Sequence, residues 1–321
     1  AEDPERNFMP STGRLTRCIT PEQSASVRID TGVVEGSEIS MFYDPMIAKL
    51  VSWGKDRQQA IDTMQDALDG YVIRGIQQNI PFLSALLKHP EFIAGNLTTG
   101  FIDDYFADGF ESISQEPEAP LLMVAVATEL QFRDDRFAAT LHAGDRELNQ
   151  SEYVVDLNGK DYEVRIEQKP EGSTITIGDT ALDISLSANA GKIRLDGKLD
   201  GSHFTIQADR LGINWKLTHR GCVGIARVMR PRVAELNRLM PVKVPPDMSR
   251  FLLSPMPGLL VKVSVSEGEQ VKAGQELAVV EAMKMENVLT AAQDGVVESI
   301  KAAAGDSLAI DQIIIEFGQA S

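Results

Sequence analysis

The sequence predicts a multidomain α+β chain: an α+β stretch, then an antiparallel β-barrel around a helix, then a small β domain of two-fold symmetry. Three observations carry that reading. Prolines and acidic residues gather at Glu116-Pro117-Glu118-Ala119-Pro120, and prolines again over 240–254, which divides the 321 residues into three stretches of domain size. An apolar segment over 121–132 leads into a procession of short β-prone runs. The final stretch repeats itself at an offset of 37 positions.

In the first stretch, taken as 1–117, a polar loop precedes short β-like runs near 25–30, 38–43 and 47–53. Over 56–71 the side chains Ala60, Ile61, Met64, Leu68 and Tyr71 recur three and four apart, giving an amphipathic helix one apolar face. Further helices are expected at 81–87, with Pro81 in the first turn, and near 99–106.

The second stretch, 118–240, opens with a helix that is apolar almost all the way round, and such a helix must be enclosed. The runs 153–157, 162–168, 174–177, 182–186, 192–195, 203–208, 213–217 and 223–228 follow. Asn158-Gly159, Glu171-Gly172, Gly178-Asp179, Asp196-Gly197 and Asp200-Gly201 supply turn signals between them. About eight antiparallel strands beside one enclosed helix suggest a barrel closed around it. A sandwich with the helix on one face is the alternative.

After a proline-containing tether at 241–253, residues 254–321 carry the repeat. Gly258 matches Gly295, Val263 matches Ile300, Gly268 matches Gly305, Val271 matches Leu308, Gln275 matches Gln312 and Leu277 matches Ile314. Each half reads as strand, glycine-acidic turn, strand, and is too small to bury a face alone, so the halves should pack about a pseudo-two-fold. Glu281-Ala282-Met283-Lys284-Met285-Glu286-Asn287 joins them, and a hairpin there would put Lys284 at an exposed tip. An exposed lysine is ordinarily a solubilising charge. This one is singled out by its place between two like halves, and acylating it would remove one charge without disturbing a core.

Composition excludes several classes. With 31 basic and 47 acidic residues the net charge is −16, which repels nucleic acid and anionic membrane surfaces. Two cysteines about two hundred residues apart form neither a metal pair nor a disulfide framework, so no metal site is expected and a reducing compartment fits. No apolar run approaches a membrane span.

Met256-Pro257-Gly258, the 281–286 motif and the repeat together resemble the biotin carboxyl carrier domain of biotin-dependent carboxylases. The resemblance implies a flattened two-fold β-barrel of the biotinyl/lipoyl kind, with biotin attached to Lys284. It makes Ala282, Met283 and Met285 turn residues and contacts of the biotin protein ligase. Lipoyl domains share the architecture but carry Asp-Lys-Ala at the hairpin, so a lipoyl-type swinging arm is the rival reading.

The first stretch is similar to the C-terminal subdomain of biotin carboxylase. The similarity rests on Ala1-Glu2-Asp3-Pro4, Pro10-Ser11-Thr12-Gly13, Val27-Arg28-Ile29-Asp30-Thr31-Gly32, Tyr43-Asp44-Pro45-Met46-Ile47-Ala48-Lys49-Leu50 and Trp53-Gly54-Lys55-Asp56-Arg57. It implies that Arg28 sits by the biotin ureido group, where a fixed cation would stabilise the enolate left by proton loss from the ring nitrogen. The family's ATP-grasp parts, which bind ATP and magnesium, lie upstream of this segment, so this chain alone is not expected to cleave ATP. Ala1-Glu2-Asp3-Pro4 reads as the middle of a longer subunit.

The helix and barrel resemble the domain that docks acyl-CoA carboxylase α subunits onto the carboxyltransferase β subunit, where the acyl-CoA is bound. That implies a hetero-oligomer. Phe42-Tyr43-Asp44-Pro45-Met46, Phe101-Ile102-Asp103-Asp104-Tyr105 and Met240-Pro241-Val242-Lys243 look most like propionyl-CoA carboxylase α subunits, with the methylcrotonyl-CoA type as alternative. The expected compartment is the bacterial cytoplasm, or else the mitochondrial matrix.

Overall fold

Each of the three stretches builds around its own apolar cluster. A computed structural model of the chain describes residues 1–107, 109–110, 119–143, 149–187, 192–241, 248, 250–283 and 285–318.

The first domain is made of short strands and helices: β1 (Glu2–Asp3), β2 (Met9–Pro10), β3 (Gly13–Arg14), β4 (Arg17–Ile19), β5 (Val27–Thr31), β6 (Glu38–Ile39), β7 (Ala48–Ser52), α1 (Arg57–Asp69), β8 (Val72–Arg74), α2 (Ile80–Lys88), α3 (Pro90–Ala94) and α4 (Phe101–Tyr105). The strands pair antiparallel as β1–β2, β3–β6, β4–β8 and β5–β7. Helix α1 begins where the periodicity begins, capped by Asp56, whose carboxylate accepts the Gln59 N–H at 2.8 Å. The strand expected over 38–43 is confined to Glu38–Ile39, and the opening "polar loop" contains four strands. Leu15, Ile39, Tyr71 and Ile73 form the core here, while Phe82 gathers Phe8, Phe106 and Phe110 edge-on under α2 and α4.

In the second domain α5 (Pro120–Ala143) is ringed by β9 (Gln150–Leu157), β10 (Lys160–Lys169), β11 (Gly172–Ile177), β12 (Thr180–Leu186), β13 (Arg194–Leu199), β14 (Ser202–Leu211), β15 (Asn214–His219) and β16 (Cys222–Met229), with α6 (Pro231–Asn237) following. These eight strands close into a barrel, β16 pairing with β9, so the expected barrel is found and the sandwich alternative is not. Leu122 through Ala127 are all buried inside it, which is why that helix has no polar face. Asn158-Gly159 and Asp200-Gly201 both have positive φ throughout, as two-residue hairpin turns require. Asp196-Gly197, expected as a turn, instead lies within β13. Gly197 is there because a Cβ would come within 2.5 Å of the Ser185 carbonyl oxygen and 2.7 Å of the Phe204 ring.

The third domain comprises β17 (Phe251–Leu253), β18 (Gly258–Val263), β19 (Gln270–Val271), β20 (Glu276–Ala282), β21 (Met285–Thr290), β22 (Gly295–Ile300), β23 (Ser307–Leu308) and β24 (Ile313–Phe317). They form two four-stranded sheets, β17-β24-β22-β19 and β21-β20-β18-β23. The repeat is structural: Gly268 and Gly305 both have positive φ, and the pairs Val271 with Leu308 and Leu277 with Ile314 are all buried. Residues 251–253, assigned from sequence to the tether, pair with β24 and belong to this fold.

A polar seam joins the first two domains. Arg74 grips the Asp209 carboxylate with two nitrogens, at 3.1 and 2.6 Å, and Gln207 donates to the carbonyls of Asp69 and Tyr71, each at 3.0 Å.

Candidate functional site: the carrier hairpin

Strands β20 and β21 run antiparallel with Glu281 opposite Glu286 and Ala282 opposite Met285, which leaves Met283 and Lys284 as a two-residue connection. Lys284 itself lies outside the described residues. Beyond the irregularity at Glu276/Ala278, the residues Ala278, Val280 and Ala282 pack into the domain core and Val279 does not, so a slip of one residue would turn them out of it. Gly258 faces the same strand, and a Cβ there would lie 2.7 Å from the Glu281 carbonyl oxygen, which explains the glycine after Met256-Pro257. Met256 is buried and accepts a long contact from Asn287 Nδ2 at 3.8 Å.

Met283 has φ 49°, a left-handed conformation that a two-residue turn demands and that costs a bulky residue about 1–2 kcal/mol. Its side chain is only 2% exposed, because the hairpin tip leans onto the first domain and Met283 joins the cluster of Leu15, Ile39, Tyr71 and Ile73. Its N–H donates to the Met41 carbonyl at 2.6 Å. Met285, on the next strand, is exposed.

Arg28 is elsewhere. It lies on β5 opposite Val51, its guanidinium 3.2 Å from the Asp30 carboxylate, with both side chains exposed. Side chains alternate along a strand, so Arg28 and Asp30 stand on one face of the β5–β7 ribbon and Ile29, Leu50 and Ala48 on the other. Leu50 and Ala48 pack against the cluster that holds Met283. The structure therefore gathers Ala282, Met283 and Met285 at one turn and keeps Arg28 on a separate face of another domain. Sequence reasoning did not single out Leu15, Tyr71 and Ile73 as receptors of the turn, since nothing local distinguishes them from ordinary core residues. Among the described residues no cluster of His, Cys, Asp and Glu could hold a metal, and no helix is long and apolar enough to cross a membrane.

A two-fold β domain whose halves meet at a methionine-lysine turn, carried behind a helix-filled barrel, has the build expected of a covalent carrier. Comparison with known families gives its kind. Residues 1–104 match the biotin carboxylase C-terminal domain, 122–243 the propionyl-coenzyme A carboxylase BT domain, and 251–317 the biotin-requiring enzyme domain. Each of the three segments thus matches a domain family of biotin-dependent carboxylases. It is 42% identical, over 99% of its length and 50% of the relative's, to the propionyl-CoA carboxylase alpha chain of Ruegeria pomeroyi. To the mitochondrial propionyl-CoA carboxylase alpha chain of Mus musculus it is 36% identical over 98% of its length and 45% of the relative's. The chain thus spans about half the length of the curated relatives it matches. Among solved structures, the biotin carboxylase domain of the Hydrogenobacter thermophilus 2-oxoglutarate carboxylase is 35% identical over 33% of this chain and 23% of that one, with a TM-score of 0.32.

Proposed function

We propose that the chain is the carrier-bearing portion of a biotin-dependent acyl-CoA carboxylase that converts propionyl-CoA to methylmalonyl-CoA, with biotin joined to Lys284 by an amide. The observation that carries this reading is the pairing of β20 with β21 up to Ala282 and Met285, which leaves the lysine of the motif in the short connection at the join of the repeat, where acylation would remove one charge. When bound, biotin supplies a ureido nitrogen that accepts and releases a carboxyl group. The chain's own residues hold and present it. Ala282 and Met283 fix the turn, Met285 gives the biotin protein ligase an exposed apolar handle, and Arg28 supplies a fixed cation for the deprotonated ureido group.

The activity belongs to the assembled protein. In this reading the ATP- and magnesium-binding parts lie outside the chain, which is then inactive by itself, and the barrel seats the carboxyltransferase β subunit that binds the acyl-CoA. The lysine and its biotinyl arm span about ten bonds, roughly 13 Å, so longer distances between sites require the carrier to travel on its tether. Propionyl-CoA is favoured over methylcrotonyl-CoA by the names of the relatives above, and a bacterial cytoplasm over a mitochondrial matrix by the higher identity of the bacterial one.

Intact-mass spectrometry of the chain produced beside a biotin ligase tests the reading. The expected result is one biotinyl addition located at Lys284 and none on Lys284→Arg. A lipoyl addition, or biotin on Lys284→Arg, would overturn it.

A further inference from the structure

We propose that Met283 is a docking anchor that holds the carrier in a resting seat on the first domain, on the side of the β5–β7 ribbon away from Arg28. The proposal rests on reading the third domain as a mobile carrier, and its test needs no biotin. Two properties of Met283 point the same way. It occupies a left-handed conformation where glycine, asparagine or aspartate would be less strained, yet its side chain is almost completely enclosed. An isolated hairpin tip gives a methionine no such enclosure. It is the first domain that supplies it, through Leu15, Ile39, Tyr71 and Ile73 and through the Met41 carbonyl that accepts the Met283 N–H.

A second set of contacts fixes the carrier's orientation in that seat. Arg6 Nη1 donates to the Pro255 carbonyl at 2.8 Å, its Nη2 lies 3.7 Å from the Asp311 carboxylate, and Met9 packs against the carrier core. Arg6 and Asp311 are substantially exposed, at 41% and 62%, and such pairs add little holding power. One buried methionine, one backbone hydrogen bond and a solvated arginine make a seat that is occupied because the tether keeps the carrier close, and that can be left. The seated turn packs with the face of β7 that carries Ala48 and Leu50, whereas Arg28 stands on the opposite face, so this seat is distinct from a visit to Arg28. While Met283 is seated, any ligase or carboxyltransferase that must grip the same turn is kept off it.

The test uses the whole chain carrying Lys284→Arg, so that no prosthetic group intervenes and the outcome is independent of what is attached there. Rotational diffusion of the carrier and hydrogen exchange at the Met283 amide are compared with those of Met283→Asp, which accepts the left-handed turn but not the apolar seat. The seat predicts that the parent carrier tumbles with the rest of the chain. In Met283→Asp it tumbles as a small independent domain, exchange at position 283 rises roughly tenfold to hundredfold, and β20 amide protection stays unchanged. Arg6→Glu should raise exchange at position 283 about two- to fivefold, and adding Asp311→Arg should restore it. A parent carrier that already tumbles independently overturns the proposal. So does a Met283→Asp carrier that keeps its β20 protection and still tumbles with the chain. If Met283→Asp loses β20 protection, the charge exchange decides: restoration supports the seat, and no effect of either charge change overturns it.

Discussion

Asp69 Oδ2 lies 3.4 Å from His219 Nδ1 across the seam between the first domain and the barrel, and Asp69 Oδ1 accepts the Arg220 backbone N–H at 2.7 Å. Burial pushes the Asp69 carboxyl up to about 7; the Arg220 hydrogen bond and the charges of Arg220 and Lys88 oppose that in part, and Asp66 adds to it. An acid whose pKa is raised by folding keeps its proton in the native state where the unfolded chain has lost it. Stability from this group therefore falls as pH rises from about 4 to about 7 and levels off above, by at most about 4 kcal/mol. Asp69→Asn keeps an acceptor for the Arg220 N–H and removes the titration. Calorimetry at pH 5, 6, 7 and 8 should show a Tm that declines across this range in the parent chain and declines less in Asp69→Asn. Identical slopes would show that the seam does not titrate through Asp69.

Gly197 predicts a second, geometric effect. Its neighbours on both sides are paired strands, Leu186 on β12 and Phe204 on β14, and a Cβ would meet the Ser185 carbonyl oxygen at 2.5 Å, a backbone atom that cannot rotate away. Gly197→Ala should cost the barrel about 1–3 kcal/mol. Gly201→Ala, at a turn with φ 82° and open space around it, should cost about 1–2 kcal/mol from backbone strain alone. Denaturant melts of the two variants check the order, and Gly201→Ala proving the more damaging would refute it.

The contrast between those glycines also shows what could be read from the chain. Asn158-Gly159 and Asp200-Gly201 are legible as turns because the requirement for positive φ is local. Asp196-Gly197 has the same chemistry but is held extended by its partners Leu186 and Phe204 on the two flanking strands, which no dipeptide reveals. The enclosed helix was legible over 121–132 because its burial is uniform. Its last turns were not, since residues such as Phe137 and Leu141 are exposed apolar groups that fit no simple period. Strand β3 is two residues long and owes its existence to its pairing with β6 well along the chain, and the seam contact between Arg74 and Asp209 joins residues 135 apart. The repeat placed the 281–287 crossover, and the structure adds where its tip is seated. The roles proposed for Lys284 and Arg28 come from resemblance, because one lysine and one arginine announce nothing by themselves.

Arg28 is the residue for which stability and activity should separate most cleanly. Its ion-pair partner is Asp30, two residues along the same strand, and both side chains stand largely in solvent, so the pair contributes little to folding. A cation placed to stabilise developing negative charge contributes to the reaction alone. In the assembled carboxylase, Arg28→Ala should lower the rate of biotin carboxylation by about a hundred- to a thousandfold while Tm stays within about 1 °C. Arg28→Lys, which keeps the charge but loses the planar fork, should fall between the two. Carboxylation measured with free biotin beside the melting curve of each variant decides the matter. Unchanged carboxylation would remove Arg28 from the site, and a loss of activity that tracks a loss of Tm would make it a structural residue of the β5–β7 ribbon.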